Sequence, residues 1–280
     1  MQAVASSSAA TDWSRNATLP RLQVADDTPP NVTLLPIRWL KPSEGIDPRR
    51  AAEVRRRLLL DEGILQPLQV AFLNGRFILL DGHNRFHAIQ KLRLRHAPVQ
   101  LHRGKIDART WVLTSSSDLG DFAELERVQE SVFSAQLNRR GGVVGISDGT
   151  FRLFPDKPRQ RLHTQHAVVR TLSRNAGQPL ARHEDADRDE ARWWTKLNLA
   201  ASAARTLLIY PRIEMADFYD IVIHRNQKVP AGATRFRLNK VLLDTPLPLS
   251  LFSGWHPLPE AKRRFADALA QRNFSLEVPR

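Results

Sequence analysis

The chain has 280 residues, no cysteine and a formal net charge of +13. The missing cysteines exclude disulfides, thiolate metal sites and a cysteine nucleophile, and no apolar run is long enough to span a bilayer. The positive balance points to anionic partners, nucleic acid or nucleotide phosphates. The N-terminus lacks a secretory pattern, so a cytoplasmic protein without membrane attachment is expected.

Residues 1–31, rich in Ala, Ser, Thr, Asp and Pro, are expected to form a disordered leader. Order should begin at Val32–Leu40 with a short strand, followed by the loop "KPSEGI". Asp47-Pro48 supplies a helix cap and a first-turn proline. Ala51, Val54 and Leu58 then fall on one face of a helix with Arg residues opposite. "LQVAFLNGRFILL" reads as a hairpin turning at Asn74-Gly75. Its second strand ends at Asp81, a helix follows over about 85–92, and "APVQLH" (Ala97–His102) reads as another strand.

Beyond Ser115 the pattern changes. "SDLGDFAELERVQESVFSAQL" is expected to be a helix burying Phe122, Leu125, Val132 and Phe133. "GGVVGISDGTFRLF" reads as a second hairpin turning at Asp148-Gly149, and "HEDADRDEARWW…" as an acidic helix start, a long helix and a strand. Trp193 and Trp194 in that helix are read as packing residues. "MADFYDIVI" and "EAKRRFADALAQR" complete the helices. The expected class is α/β (α+β), with a domain over 32–115 and a mixed α/β lobe over 116–280.

The junction Asp81-Gly82-His83-Asn84-Arg85 is the chemically distinctive segment. Asp, His and Arg are costly to bury unpaired, yet they stand where a strand runs into a helix. Two explanations compete: a helix cap formed by Asp81 or Asn84, and an anion site in which helix-start N–H groups face a phosphate.

The segment "LLPIRWLKPSEGI…ILQPLQV…RFILLDGHNRFHAIQKLRLRHAPVQL" resembles the ParB/sulfiredoxin superfamily over roughly residues 32–115. The sulfiredoxin branch needs a cysteine and is closed. The chromosome-partitioning branch carries a different box and a helix-turn-helix, neither of which is found here. The free serine kinases are the better match. The chain has their Asp-Gly-His-x-Arg loop, Glu44 in "KPSEGI", and Thr234-Arg235 in "KVPAGATRFRL" followed by "TPLPLSLF". Asn84 departs from that family's second His.

The resemblance implies phosphorylation of free L-serine to O-phospho-L-serine, with ATP or ADP as donor and Mg²⁺ as cofactor. Gly82, His83, Asn84 and Arg85 would bind the nucleotide, while Trp111, Thr234 and Arg235 would bind the serine. Glu44 and Asp81 are the catalytic candidates. One takes the hydroxyl proton and the other orients it or holds Mg²⁺, and the sequence leaves these roles open. The family relationship implies supply of cysteine synthesis or of 2,3-diaminopropionate for siderophores. The rival reading is a ParB-like, nucleotide-sensing DNA-binding regulator, resting on the +13 charge and the superfamily relationship.

Overall fold

Phe77-Ile78-Leu79-Leu80 is apolar at every position, the pattern of a strand covered on both faces. In the computed structural model, which describes residues 31–103, 111–115, 125–129, 143–147, 150–155, 157–175, 181–184, 206–209, 215–234, 236 and 238–277, this run is central to the fold. The first half comprises β1 (Val32–Pro36), β2 (Leu40–Pro42), α1 (Pro48–Leu60), β3 (Gly63–Ile64), β4 (Leu68–Leu73), β5 (Arg76–Asp81), α2 (His83–Lys91) and β6 (His96–His102). A five-stranded sheet runs β1-β6-β4-β5-β2. Pairs β1–β6 and β4–β5 are antiparallel, and β4–β6 and β2–β5 are parallel.

Local chemistry accounts for these elements. Asp47 caps α1 by accepting the N–H groups of Arg49 and Arg50, with Pro48 in the first turn. Ala51 and Leu58 are buried on its inner face. Asn74 and Gly75 both take positive φ, 47° and 74°, as the hairpin turn requires.

A six-stranded sheet follows, built from β7 (Trp111–Ser115), β8 (Glu126–Val128), β9 (Val143–Ser147), β10 (Thr150–Leu153), β11 (Ala181–Glu184) and β12 (Thr206–Ile209), in the order β11-β7-β12-β9-β10-β8. Helix α3 (Pro158–Asn175) joins it, and Leu113, Leu125, Phe154, Val168, Leu172 and Leu208 form one core cluster. The chain then forms α4 (Met215–Phe218) running into a π-helical segment, Tyr219–His224. Last come β13 (Lys240–Leu243), β14 (Leu247–Pro248), α5 (Leu258–Ala270) and β15 (Phe274–Glu277).

Three sequence expectations change. Glu126–Val128 is a strand inside the expected helix, because pairing with β10 outweighs local helix propensity. His183 and Glu184, expected at a helix start, lie in β11 against β7. Helix α3 was not anticipated, since its Arg-, His- and Gln-rich sequence masks its apolar face. Phe122, Val132, Phe133, Asp148, Gly149, Trp193 and Trp194 lie outside the described residues.

The two faces of the first sheet feed different cores. Val70 and Leu79 join Leu34, Leu35, Ile89 and Val99, whereas Ala71, Ile78 and Leu80 join Phe218, Val222 and Phe236. The first of these cores also takes Val241, Leu243, Phe252, Ala261, Phe265 and Leu269. Thus β13 and α5 return to the sheet of residues 32–102, and the cores do not part at residue 115.

This return depends on close approach at Gly63, which pairs with Pro248 on β14. A Cβ there would lie 2.4 Å from the Leu247 carbonyl oxygen. Overpacking of this kind costs about 1–3 kcal/mol, so Gly63→Ala is expected to lower the melting temperature by roughly 3–8 °C. An unchanged melting temperature in calorimetry would remove the β3–β14 contact from the account of stability.

Candidate active site

Helix α2 opens at Gly82, which adopts φ 93° and makes no side-chain cap. A side chain at this position would be strained, and its Cβ would meet Leu68 Cδ2 at 2.9 Å. The turn therefore needs glycine. It presents the first-turn N–H groups of Asn84 and Arg85 at the positive end of a helix dipole, where an anion is favoured.

The side chains of the loop hold it in place. His83, 6% exposed, lies beside the backbone N–H groups of Ser43 and Glu44, with Nε2 accepting at 3.3 and 3.1 Å. Two donors into Nε2 put the ring proton on Nδ1, which faces Glu44 Oε2 at 3.8 Å. Ser43 Oγ donates to the Leu79 carbonyl at 2.6 Å. Asn84 Oδ1 accepts the Asp47 N–H at 3.2 Å, joining α2 to the cap of α1. Arg85 Nη1 donates to the Gln66 and Pro67 carbonyls, at 2.8 and 3.0 Å, and Nη2 donates to Gln66 Oε1 at 2.6 Å.

Glu44 is only 5% exposed, and a buried carboxylate needs donors. They come from a segment some 190 residues away. Gly232 N–H donates to Oε2 at 3.0 Å, Thr234 N–H donates to Oε1 at 2.8 Å, and the Thr234 hydroxyl donates to Oε1. A backbone bridge between Glu44 and Val229 closes the junction, with Gly45 N–H on the Val229 carbonyl and Val229 N–H on the Ser43 carbonyl.

Asp81 belongs to a second polar group. Oδ1 accepts the Gly82 N–H at 2.8 Å, and Oδ2 accepts the Lys240 ammonium at 2.5 Å. Burial pushes the Asp81 carboxyl up, but the charge and hydrogen bond of Lys240, the charge of Arg85 and the Gly82 N–H outweigh it. They hold the carboxyl well below the usual carboxylate range. Nearby, His102 Nε2 pairs with Gln69 Oε1 at 2.6 Å, and Gln69 Nε2 donates to the Pro67 carbonyl. Burial, then the charge of Lys240, lowers His102 to about 4 against the pull of Asp81, so its imidazole is neutral near pH 7.

The structure thus brings Glu44, His83 and Thr234 together, and sets Asp81 and Arg85 at the same loop. Trp111 begins β7, and Arg235 lies outside the described residues. Glu44 also has a structural reason to be acidic, since its carboxylate joins two loops. Lys240, Gln66, Gln69, Gln100 and His102 were not singled out as site residues. Only the "QP" at Gln66-Pro67 left a local signal, because the others meet their partners through the sheet.

Among the described residues no group of three or more His, Asp or Glu is arranged to hold a metal ion. Mg²⁺ beside a nucleotide needs only one or two carboxylates. The Asp81 side chain, 38% exposed at the start of α2, fits that need.

In Glu44→Gln, an amide NH₂ replaces one oxygen and confronts either the Gly232 or the Thr234 donors. A buried donor left unsatisfied costs about 1–3 kcal/mol, so the variant should melt measurably lower than the parent protein. An unchanged melting temperature would show that these bonds do not hold the two loops together.

No protein-family profile matches the chain. The ATP-dependent L-serine kinase SbnI of Staphylococcus aureus is 22% identical over 227 residues, spanning 79% of this chain and 84% of that protein. A solved structure of C-terminally truncated SbnI from Staphylococcus aureus is 16% identical. It superposes with a TM-score of 0.55 over 86% of this chain and 96% of that one. A free serine kinase in complex with AMP, also 16% identical, gives 0.61 over 82% and 98%. An ADP complex of a free serine kinase variant gives 0.58 over the same shares, at 14% identity. The chain therefore has the fold of these free serine kinases.

Proposed function

We propose that the chain is a kinase of free L-serine, forming O-phospho-L-serine from a nucleoside di- or triphosphate. The observation that carries this reading is the meeting of Glu44 and Thr234 at the Asp-Gly-His-Asn-Arg loop. Similarity to an L-serine kinase and to free serine kinases crystallised with AMP and ADP supports the substrates.

The residues divide the work as their surroundings dictate. Phosphoryl transfer relies on positioning and charge neutralisation. The α2 amides receive the phosphates, and Gly82 lets them approach. A proton acceptor must be able to take up a proton near neutral pH. Asp81, held ionised by Lys240 in the free protein, serves better as a fixed negative charge or as a ligand to Mg²⁺, a cation that would keep it ionised. Glu44 is then the base, aimed by the Thr234 and Gly232 donors, with His83 holding its backbone. The serine Oγ–P bond forms as the bond from phosphorus to the bridging oxygen breaks. The hydroxyl proton passes to Glu44, and the nucleotide leaves one phosphate shorter. Mg²⁺, when bound, supplies charge neutralisation to the phosphate oxygens.

Arg235, directly after Thr234 in sequence, suits the serine carboxylate as a two-pronged clamp, and Trp111 completes the substrate set on the strength of the resemblance. The same resemblance suggests a product used in cysteine or 2,3-diaminopropionate synthesis.

The test is incubation with L-serine, Mg²⁺ and ATP or ADP, with O-phosphoserine detected by mass spectrometry. Product is expected, and Glu44→Gln should reduce turnover by about 10²–10⁴. Arg235→Lys should raise the KM for serine while leaving nucleotide affinity near that of the parent. No product with either nucleotide, together with tight and salt-sensitive duplex DNA binding, would favour the regulator reading instead.

A further inference from the structure

Lys240 and Asp81 lie 159 residues apart in sequence and meet at the entrance of α2. The backbone on either side of Lys240 is fixed by one buried residue of β6. Gln100, 4% exposed, donates from Nε2 to the Asn239 carbonyl at 2.7 Å and accepts the Val241 N–H on Oε1 at 2.9 Å. Both ends of a buried amide thus set the start of β13, and the lysine side chain leaves it toward the phosphate loop. That side chain is 27% exposed and its Asp81 partner 38%. Both groups keep a face to solvent, so a ligand reaching the start of α2 can meet the ammonium directly.

The loop's own cationic residue is turned elsewhere. The Arg85 guanidinium is tied to Gln66 and the Pro67 carbonyl, and His83 presents Nε2 as an acceptor. A phosphoryl group in transfer carries charge that fixed donors and cations must meet. Lys240 brings a compact charge on a flexible four-carbon stem to that place.

We propose that Lys240 is a phosphate-binding residue whose ammonium rests on Asp81 in the free protein. It moves to the non-bridging oxygens of the terminal phosphate when a nucleoside di- or triphosphate binds. This deepens the kinase reading and rests on it for the position of the nucleotide. The exchange needs no proton transfer: one ion pair replaces another, and the Asp81 oxygen released by Lys240 becomes available to a divalent cation.

Calorimetric titration with AMP, ADP and a non-hydrolysable ATP analogue, each with Mg²⁺, separates the possibilities. Lys240→Met should leave AMP affinity within about twofold and weaken the longer nucleotides by at least about tenfold, the scale of a lost charged hydrogen bond. An equal loss for all three, or no loss for any, would overturn the assignment. Should the variant fail to fold, acetylation of the parent protein followed by peptide mass spectrometry replaces it. The ATP analogue should slow Lys240 labelling severalfold more than AMP does, and equal rates would overturn the proposal. A parent protein that binds no nucleotide overturns it too. Failure to form O-phosphoserine with this phosphate-length dependence intact would defeat the serine reading and leave Lys240 in its role.

Discussion

The site depends on one constraint: the buried carboxylate of Glu44 must be met by donors. Three come from Gly232 and Thr234, and their acceptance locks the segment before β13 against the loop between β2 and α1. His83 receives the Glu44 N–H from the other side, so a strand-to-helix turn, an early loop and a late loop meet at one residue. Together these contacts leave the carboxylate little freedom to turn.

Two carboxylates that look equivalent in the sequence are separated by their partners. Asp81 ends β5 and Glu44 lies in the loop after β2, each shortly before a helix, and both are candidates for proton acceptor or metal ligand. Their partners differ in kind. Asp81 meets a full positive charge, whereas the Gly232 and Thr234 N–H groups and the Thr234 hydroxyl donate to Glu44. The charge of Lys240 favours the ionised form of Asp81, and the donors of Gly232 and Thr234 fix the direction of the Glu44 carboxylate.

Much of the first half was legible, because its signals are local. Asp47-Pro48, the Asn74-Gly75 turn, the apolar run into Asp81 and the helix after Gly82 each act within a few residues. The middle was read less well. Glu126–Val128 and Ala181–Glu184 became strands only by pairing with β10 and β7, which no local pattern announces. The site divides in the same way. Glu44, Asp81 and the loop could be found from a motif, while Lys240 and Gln100 owe their positions to a chain that returns after more than a hundred residues. The return of β13 and α5 to the first core was equally hidden, since an amphipathic helix does not say which sheet it covers.

The motif itself takes on a different meaning. Read as a string, Asp-Gly-His-Asn-Arg suggests a row of side chains offered to a phosphate. In the fold each side chain secures a neighbour. Asp81 meets Lys240, His83 takes the N–H groups of Ser43 and Glu44, Asn84 accepts from Asp47, and Arg85 binds Gln66 and Pro67. What remains for an anion is the helix start that Gly82 exposes, with Lys240 beside it. This changes the weight of Asn84, the position where the chain departs from the kinases it resembles. Its Oδ1 acts as a neutral acceptor for a backbone N–H, a task that needs no cation. The departure therefore falls on the scaffold of the loop, and an anion site built from backbone amides can keep its geometry through it.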